Sequence, residues 1–173
     1  MSKEKKQISE RPEESCRAVL VSLIYAKEDE TMASDIKYAL LPMEKLGKIK
    51  LQDFSKLTLS DNAEEEDLAV LKSSSLVLVL ISPDFLAKDF CYSEDARLLI
   101  ESAQSKQLLL IPIILRPSPL WKEVNFGKFE ELPKDGDAMT EYQNNDRALH
   151  DVVKGIKKQI YKIIERTPHE VSI

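Results

Sequence analysis

Residues 76–95 read LVLVLISPDFLAKDFCYSED. The six apolar residues Leu76 to Ile81 are too few to cross a bilayer and too unbroken for a sheet with one wet face. Such a run suits a parallel strand covered by helices on both sides. It stops at Ser82-Pro83-Asp84, residues that leave a strand and open a helix. Cys91, Tyr92, Glu94 and Asp95 follow as the pattern turns helical. In open α/β sheets ligands collect where strands end and helices begin, so this junction is the first place to seek a site.

Working outward, Ala18 to Tyr25 and Leu108 to Leu115 read as two further strands, with a weaker one at Ile49 to Leu51. Pro112 removes a ladder donor, which puts its strand at an edge or at a bulge. Met32, Ile36, Ala39, Leu40 and Met43 form a helical stripe. Pro42 should kink or restart that helix and Gly47 should stop it. Asp61 or Asn62 can cap a second helix running through Glu64 to Glu66, with Leu68 and Leu71 inward. Leu149, Val152, Val153, Ile156, Ile160, Ile163 and Ile164 make one long stripe, capped by Asn144 or Asn145. Arg116 to Gln143 is an irregular connection holding Trp121, with a short fifth strand expected near Met139 to Tyr142. Strands alternating with helices predict an α/β, flavodoxin-like, doubly wound parallel sheet of four to five strands with helices on both faces.

The 173 residues fit one domain with tails: a disordered head at 1–15, a folded domain at 16–166 and a tail at 167–173. The net charge of −5 argues against a nucleic-acid partner. No apolar stretch is long enough for a membrane, and the head lacks a signal-peptide core. Cys16 and Cys91 are too few for a disulfide framework, so a reducing, cytoplasmic location is expected. The Cys and His residues show no metal-ligand spacing, and no GxGxxG or Walker pattern is present.

Three stretches, in order, resemble the TIR (Toll/interleukin-1 receptor) domain, especially its short bacterial form. They are Val19–Asp29 (VLVSLIYAKED), Leu80–Tyr92 (LISPDFLAKDFCY), and Ile111–Trp121 (IPIILRPSPLW) followed by Leu132–Gly136 (LPKDG). The resemblance covers about Arg17 to Ile164. It implies immune or stress signalling through TIR–TIR association, with copies of itself or with another TIR protein. It also implies, as an alternative, cleavage of the nicotinamide-ribosyl bond of NAD+, which would be a substrate and not a bound cofactor. The family's catalytic glutamate lies four residues after the cysteine, where this chain has Asp95, with Glu94 one residue earlier.

Helical geometry separates the two acids. With Tyr92, Ala96, Leu99, Ile100 and Ala103 as the buried stripe, Glu94 projects opposite it and Asp95 lies on its flank. Asp95 is therefore the candidate for the catalytic position and Glu94 for a solvated acid, although Asp95 also reads as a plain acid at a helix N-terminus. Tyr25, Asp53, Ser82, Phe85, Cys91 and Trp121 complete the residues expected to line a nucleotide pocket. Each has a bland reading beside it. Tyr25 can be a core-edge residue, Cys91 a buried structural thiol and Trp121 an anchor for the long connection.

The chain departs from the family elsewhere. Ile24 precedes Tyr25 where serine is usual, Ala26 replaces a following serine, and the loop after Asp53 lacks the usual Pro-Gly. Leu57 and Leu59 in that loop either make an assembly contact or pack on the core. A receiver-like phosphoacceptor on the same architecture would need an acid cluster at the end of the first strand and a phosphorylated aspartate ending the third, where this chain has Tyr25 and Ser82.

Overall fold

The computed structural model describes residues 17–59 and 65–166. Both tails, the helix caps at Asp61 and Asn62, and Glu64 lie outside the described residues. Four strands, β1 (Val19–Ile24), β2 (Ile49–Asp53), β3 (Leu76–Ile81) and β4 (Leu109–Ile114), pair in parallel in the order β2-β1-β3-β4. All six residues of β3 are buried, as an apolar run covered on both faces requires.

Among the described residues, five helices pack on the sheet: α1 (Glu30–Lys45), α2 (Glu65–Lys72), α3 (Pro83–Leu86), α4 (Glu94–Gln104) and α5 (Asn145–Arg166). Alternation along each strand divides the interior into two layers. Val21, Leu23, Leu78, Leu80 and Ile113 pack with Ile36 and Leu40 of α1 and with Val152, Ile156 and Ile160 of α5. Ile24, Val77, Val79 and Ile81 face Leu71 of α2, Phe85 of α3, and Ala96, Leu99 and Ile100 of α4. The strand order reverses direction between β1 and β3. Their carboxyl ends are thus the crevice where a doubly wound sheet places its ligands.

Pro112 pairs with Val79 in β4, which is the edge strand. Its carbonyl accepts from Leu132 N at 2.9 Å on the outer side, so the missing N–H interrupts no ladder between strands. Pro42 does not restart a helix: α1 runs through it to Lys45. It sits on the exposed side of the last turns, where water can take over the unmatched carbonyl. Gly47, at φ +72°, then closes the helix, with Lys48 N reaching Met43 O at 3.0 Å. Asn144 caps α5 through Oδ1, which accepts from Asp146 N at 2.8 Å and Arg147 N at 3.2 Å.

Two expectations need correction. Met139–Glu141 is a turn of 3-10 helix and not a strand. Ala138 N donates to the Glu141 carboxylate at 2.7 Å, curling the segment on itself, and the sheet edge is extended only by a single bridge between Ile113 and Leu132. Tyr92 does not belong to the buried stripe of α4, being 64% exposed. It ends a separate 3-10 turn, Asp89–Tyr92, and Ser93 beyond it is extended, so helical phase does not carry across.

Candidate functional site at the carboxyl end of the sheet

Short polar segments follow each strand here, and each is pinned by a serine or an acid. Ser82 caps α3, accepting from Phe85 N at 3.1 Å, with Pro83 at the first helical position. The same hydroxyl donates to Oδ2 of Asp29, which follows β1. Asp29 is 3% exposed, and its other oxygen accepts from Arg116 Nη2 at 3.0 Å. Arg116, just past β4, also pairs with the half-buried carboxylate of Asp84 on α3. One buried acid thus ties together the ends of β1, β3 and β4. Sequence reasoning passed over Asp29 and Arg116 as partners. The available signal was their placement, with opposite charges directly beyond strands that flank the same central strand.

A second cluster lies between β1, α1 and β2. The buried Tyr25 places its hydroxyl 2.5 Å from Asp53 Oδ2 and 2.7 Å from Glu30 Oε2, one proton facing two carboxylates. Lys37 Nζ donates to that hydroxyl at 3.0 Å and to Asp53 Oδ2 at 2.7 Å. Burial, reinforced by Asp53, pushes the Tyr25 phenol up to about 12. For Asp53, burial acts upward, but hydrogen bonds from Lys37, Tyr25 and Ser55 outweigh it and bring the carboxyl down to about 2.

A carboxyl depressed by folding contributes stability above its ordinary pKa and loses it as pH falls through the folded value. That window runs from 3.8 down to about 2. Asp53→Asn is therefore expected to flatten the fall of melting temperature with acid across this window. A slope equal to that of the wild type would show that Asp53 carries no such linkage.

The loop after β2 turns as a 3-10 segment, Ser55–Thr58, without the Pro-Gly of the resembled family. Thr58 Oγ1 lies 3.0 Å from Tyr25 O and 2.8 Å from Ser55 O, anchoring the loop to β1. Leu57 is buried, whereas Leu59 is 55% exposed. This segment packs against the Asp89–Tyr92 turn.

Phe85, Cys91 and Trp121 meet in the core layer under α3 and α4. Phe85 and Phe126 have ring centroids 6.0 Å apart. Cys91 Sγ donates to Phe85 O at 3.0 Å, and burial pushes its thiol up to about 12, so it is no nucleophile at neutral pH. Trp121 is buried with Lys122 Nζ 4.8 Å from its ring centroid.

Ser93 caps α4, accepting from Ala96 N at 3.2 Å, which puts Glu94 and Asp95 in the first turn. Glu94 is exposed and held by Arg97, whose guanidinium also reaches Glu101. Asp95 is half-buried and its carboxylate makes no hydrogen bond or ion pair among the described residues. The carboxyl end therefore brings Asp29, Ser82, Asp84 and Arg116 into one network and Tyr25, Asp53, Glu30 and Lys37 into another. Asp95 stands apart from both. Among the described residues no group of acids, histidines and cysteines could hold a metal ion. None of their helices is long and apolar enough to cross a membrane.

No family model matches the chain. The uncharacterized protein y4lF of Sinorhizobium fredii (strain NBRC 101917 / NGR234) is 26% identical over 134 residues, covering 78% of this chain. The chain spans only 41% of that relative's length. Among solved structures, the TIR domains of the activated Roq1 resistosome, which directly recognises the pathogen effector XopQ, align over 86% of this chain and 99% of that one. The alignment has 12% identity and a TM-score of 0.46.

Proposed function

We propose that this chain is a TIR-type signalling module that works by associating with further TIR domains, copies of itself first. The observation that carries this reading is the exposed Leu59 beside the turn that exposes Tyr92. Single apolar side chains on a surface are ordinary, but two large ones at the ends of two contacting segments offer apolar surface whose burial would favour contact. The loop after the second strand is also where the resemblance places association. Leu57 belongs to the core, so the informative substitution is at Leu59. Light scattering of the wild type is expected to give a mass rising above 19.7 kDa as concentration increases. Leu59→Asp should stay monomeric with its melting temperature kept. A wild type that is monomeric at every concentration would end this reading.

The second reading is cleavage of NAD+, and one observation favours it. Asp95 offers a half-buried carboxylate with no partner among the described residues, whereas Glu94 is occupied by Arg97. A free carboxylate beside a departing nicotinamide would stabilise an oxocarbenium-like ribose, as acids do in glycoside cleavage. Assembly and catalysis are compatible if neighbouring subunits complete the pocket.

A further inference from the structure

Away from the carboxyl-end networks, α5 and the connection after β4 enclose a groove of about 680 Å³. Its cations are Lys134, Lys154, Lys157 and Lys158, and its acids are Asp135 and Asp151. Both acids are engaged: Asp135 accepts from Tyr142 Oη at 3.4 Å, and Asp151 pairs with Arg147 at 3.5 Å. None of the four lysines has an ion-pair partner among the described residues. In a chain of net charge −5, four lysines against two carboxylates, one of them paired with Arg147, leave the groove net positive, which favours an anion.

The groove is built and not merely a charged helix face. Leu132 packs against Gly155, where a Cβ would stand 2.7 Å from Leu132 Cδ2, so a larger residue there would have to displace the Leu132 side chain. Lys157 and Lys48 hold their ammonium groups 5.9 and 5.0 Å from the Tyr161 ring centroid, fixing two cations beside the same wall. Lys154, Lys157 and Lys158 lie within about 6 Å of helix rise, close enough to surround one or two adjoining phosphates. A second groove of about 540 Å³ shares Lys154 and Lys157 and adds His150.

We propose that the groove beside α5 binds a small phosphorylated solute of the nucleoside diphosphate class. The lysines take the phosphates, and the wall of Tyr142, Tyr161 and Leu132 takes the planar ring. The volume falls within the range of about 300–1,000 Å³ usual for small-molecule sites. A lipid surface is disfavoured because these lysines line a concavity. A nucleic acid is disfavoured by the net negative charge of the chain.

Calorimetric titration of the full chain with ADP and with pyrophosphate, at low ionic strength, tests this. One ADP per chain is expected. Lys154→Ala, Lys157→Ala and Lys158→Ala should each weaken it about tenfold, with circular dichroism confirming that each variant is folded. Lys72→Ala, on the opposite layer, should leave the affinity unchanged. No binding of ADP, binding indifferent to the three lysine variants, or groove-dependent binding to anionic vesicles without binding of ADP would each overturn the proposal.

Discussion

Asp95→Glu is expected to raise release of nicotinamide from NAD+ by about 100-fold, the scale of change that a 1 Å error in placing a catalytic group produces. Under the NAD+-cleavage proposal, aspartate is one methylene shorter than the glutamate of the resembled family, so its carboxylate would stop short of a ribose that glutamate would reach. Asp95 lies in the first turn of α4, held there by the Ser93 cap, and is half-buried without a partner among the described residues. Asp95→Ala should abolish release. Glu94→Ala should leave it within about twofold, because that acid is exposed and spends its charge on Arg97, an interaction of small energetic value. Chromatography of nicotinamide after incubation at high protein concentration reads all three variants. A flat response to Asp95→Glu together with loss in Glu94→Ala would move the chemistry to the neighbouring acid.

The largest stability effect is expected at Arg116. Arg116→Met removes the guanidinium 3.0 Å from Asp29 and leaves a carboxylate that is 3% exposed with only the Ser82 hydroxyl for support. Breaking a buried pair on one side costs about 3–5 kcal/mol, because the remaining charge stays out of water. The lower end applies here, since Arg116 is itself partly exposed. For a chain of this size that corresponds to about 6–12 °C in melting temperature. Asp84→Asn removes the other partner of Arg116, but Asp84 is only half-buried and the change should cost no more than about 1 kcal/mol. Asp29→Asn in the Arg116→Met background should recover part of the loss by removing the stranded charge. Urea denaturation of the four proteins measures the comparison. An Arg116→Met variant within about 0.5 kcal/mol of the wild type, the range of ordinary surface changes, would show that the network does not hold the strand ends together.

These residues also show which parts of the molecule were legible in the sequence. The β3 strand announced itself because it is covered on both sides, which leaves no polar residue in it. Pro112 located the edge strand, and the long apolar stripe with Asn144 before it located α5 and its cap. Asp29 was not legible. It stands in Lys27-Glu28-Asp29, which reads as a solvated helix entry, and only Ser82 and Arg116, 53 and 87 residues away, make it a buried acid. Tyr92 was misplaced for a local reason, the extended Ser93 that separates two helical turns. Glu94 and Asp95 both follow Ser93, so their phase relative to Ala96, Leu99 and Ile100 does not depend on Tyr92. Tyr25 is both core and network, its ring buried and its hydroxyl among two acids and a lysine. Sequence alone left those two readings open, since the lysine comes from the next turn of α1 and one acid from the end of β2.

Self-association through the loop after β2 is most directly tested by amide hydrogen exchange at low and high protein concentration. Exchange is predicted to slow with concentration in Ser55 to Leu59 and in Asp89 to Tyr92, and Leu59→Asp should erase that difference. Exchange in these two segments that is independent of concentration, or slowing confined to α1 and α5, would contradict it.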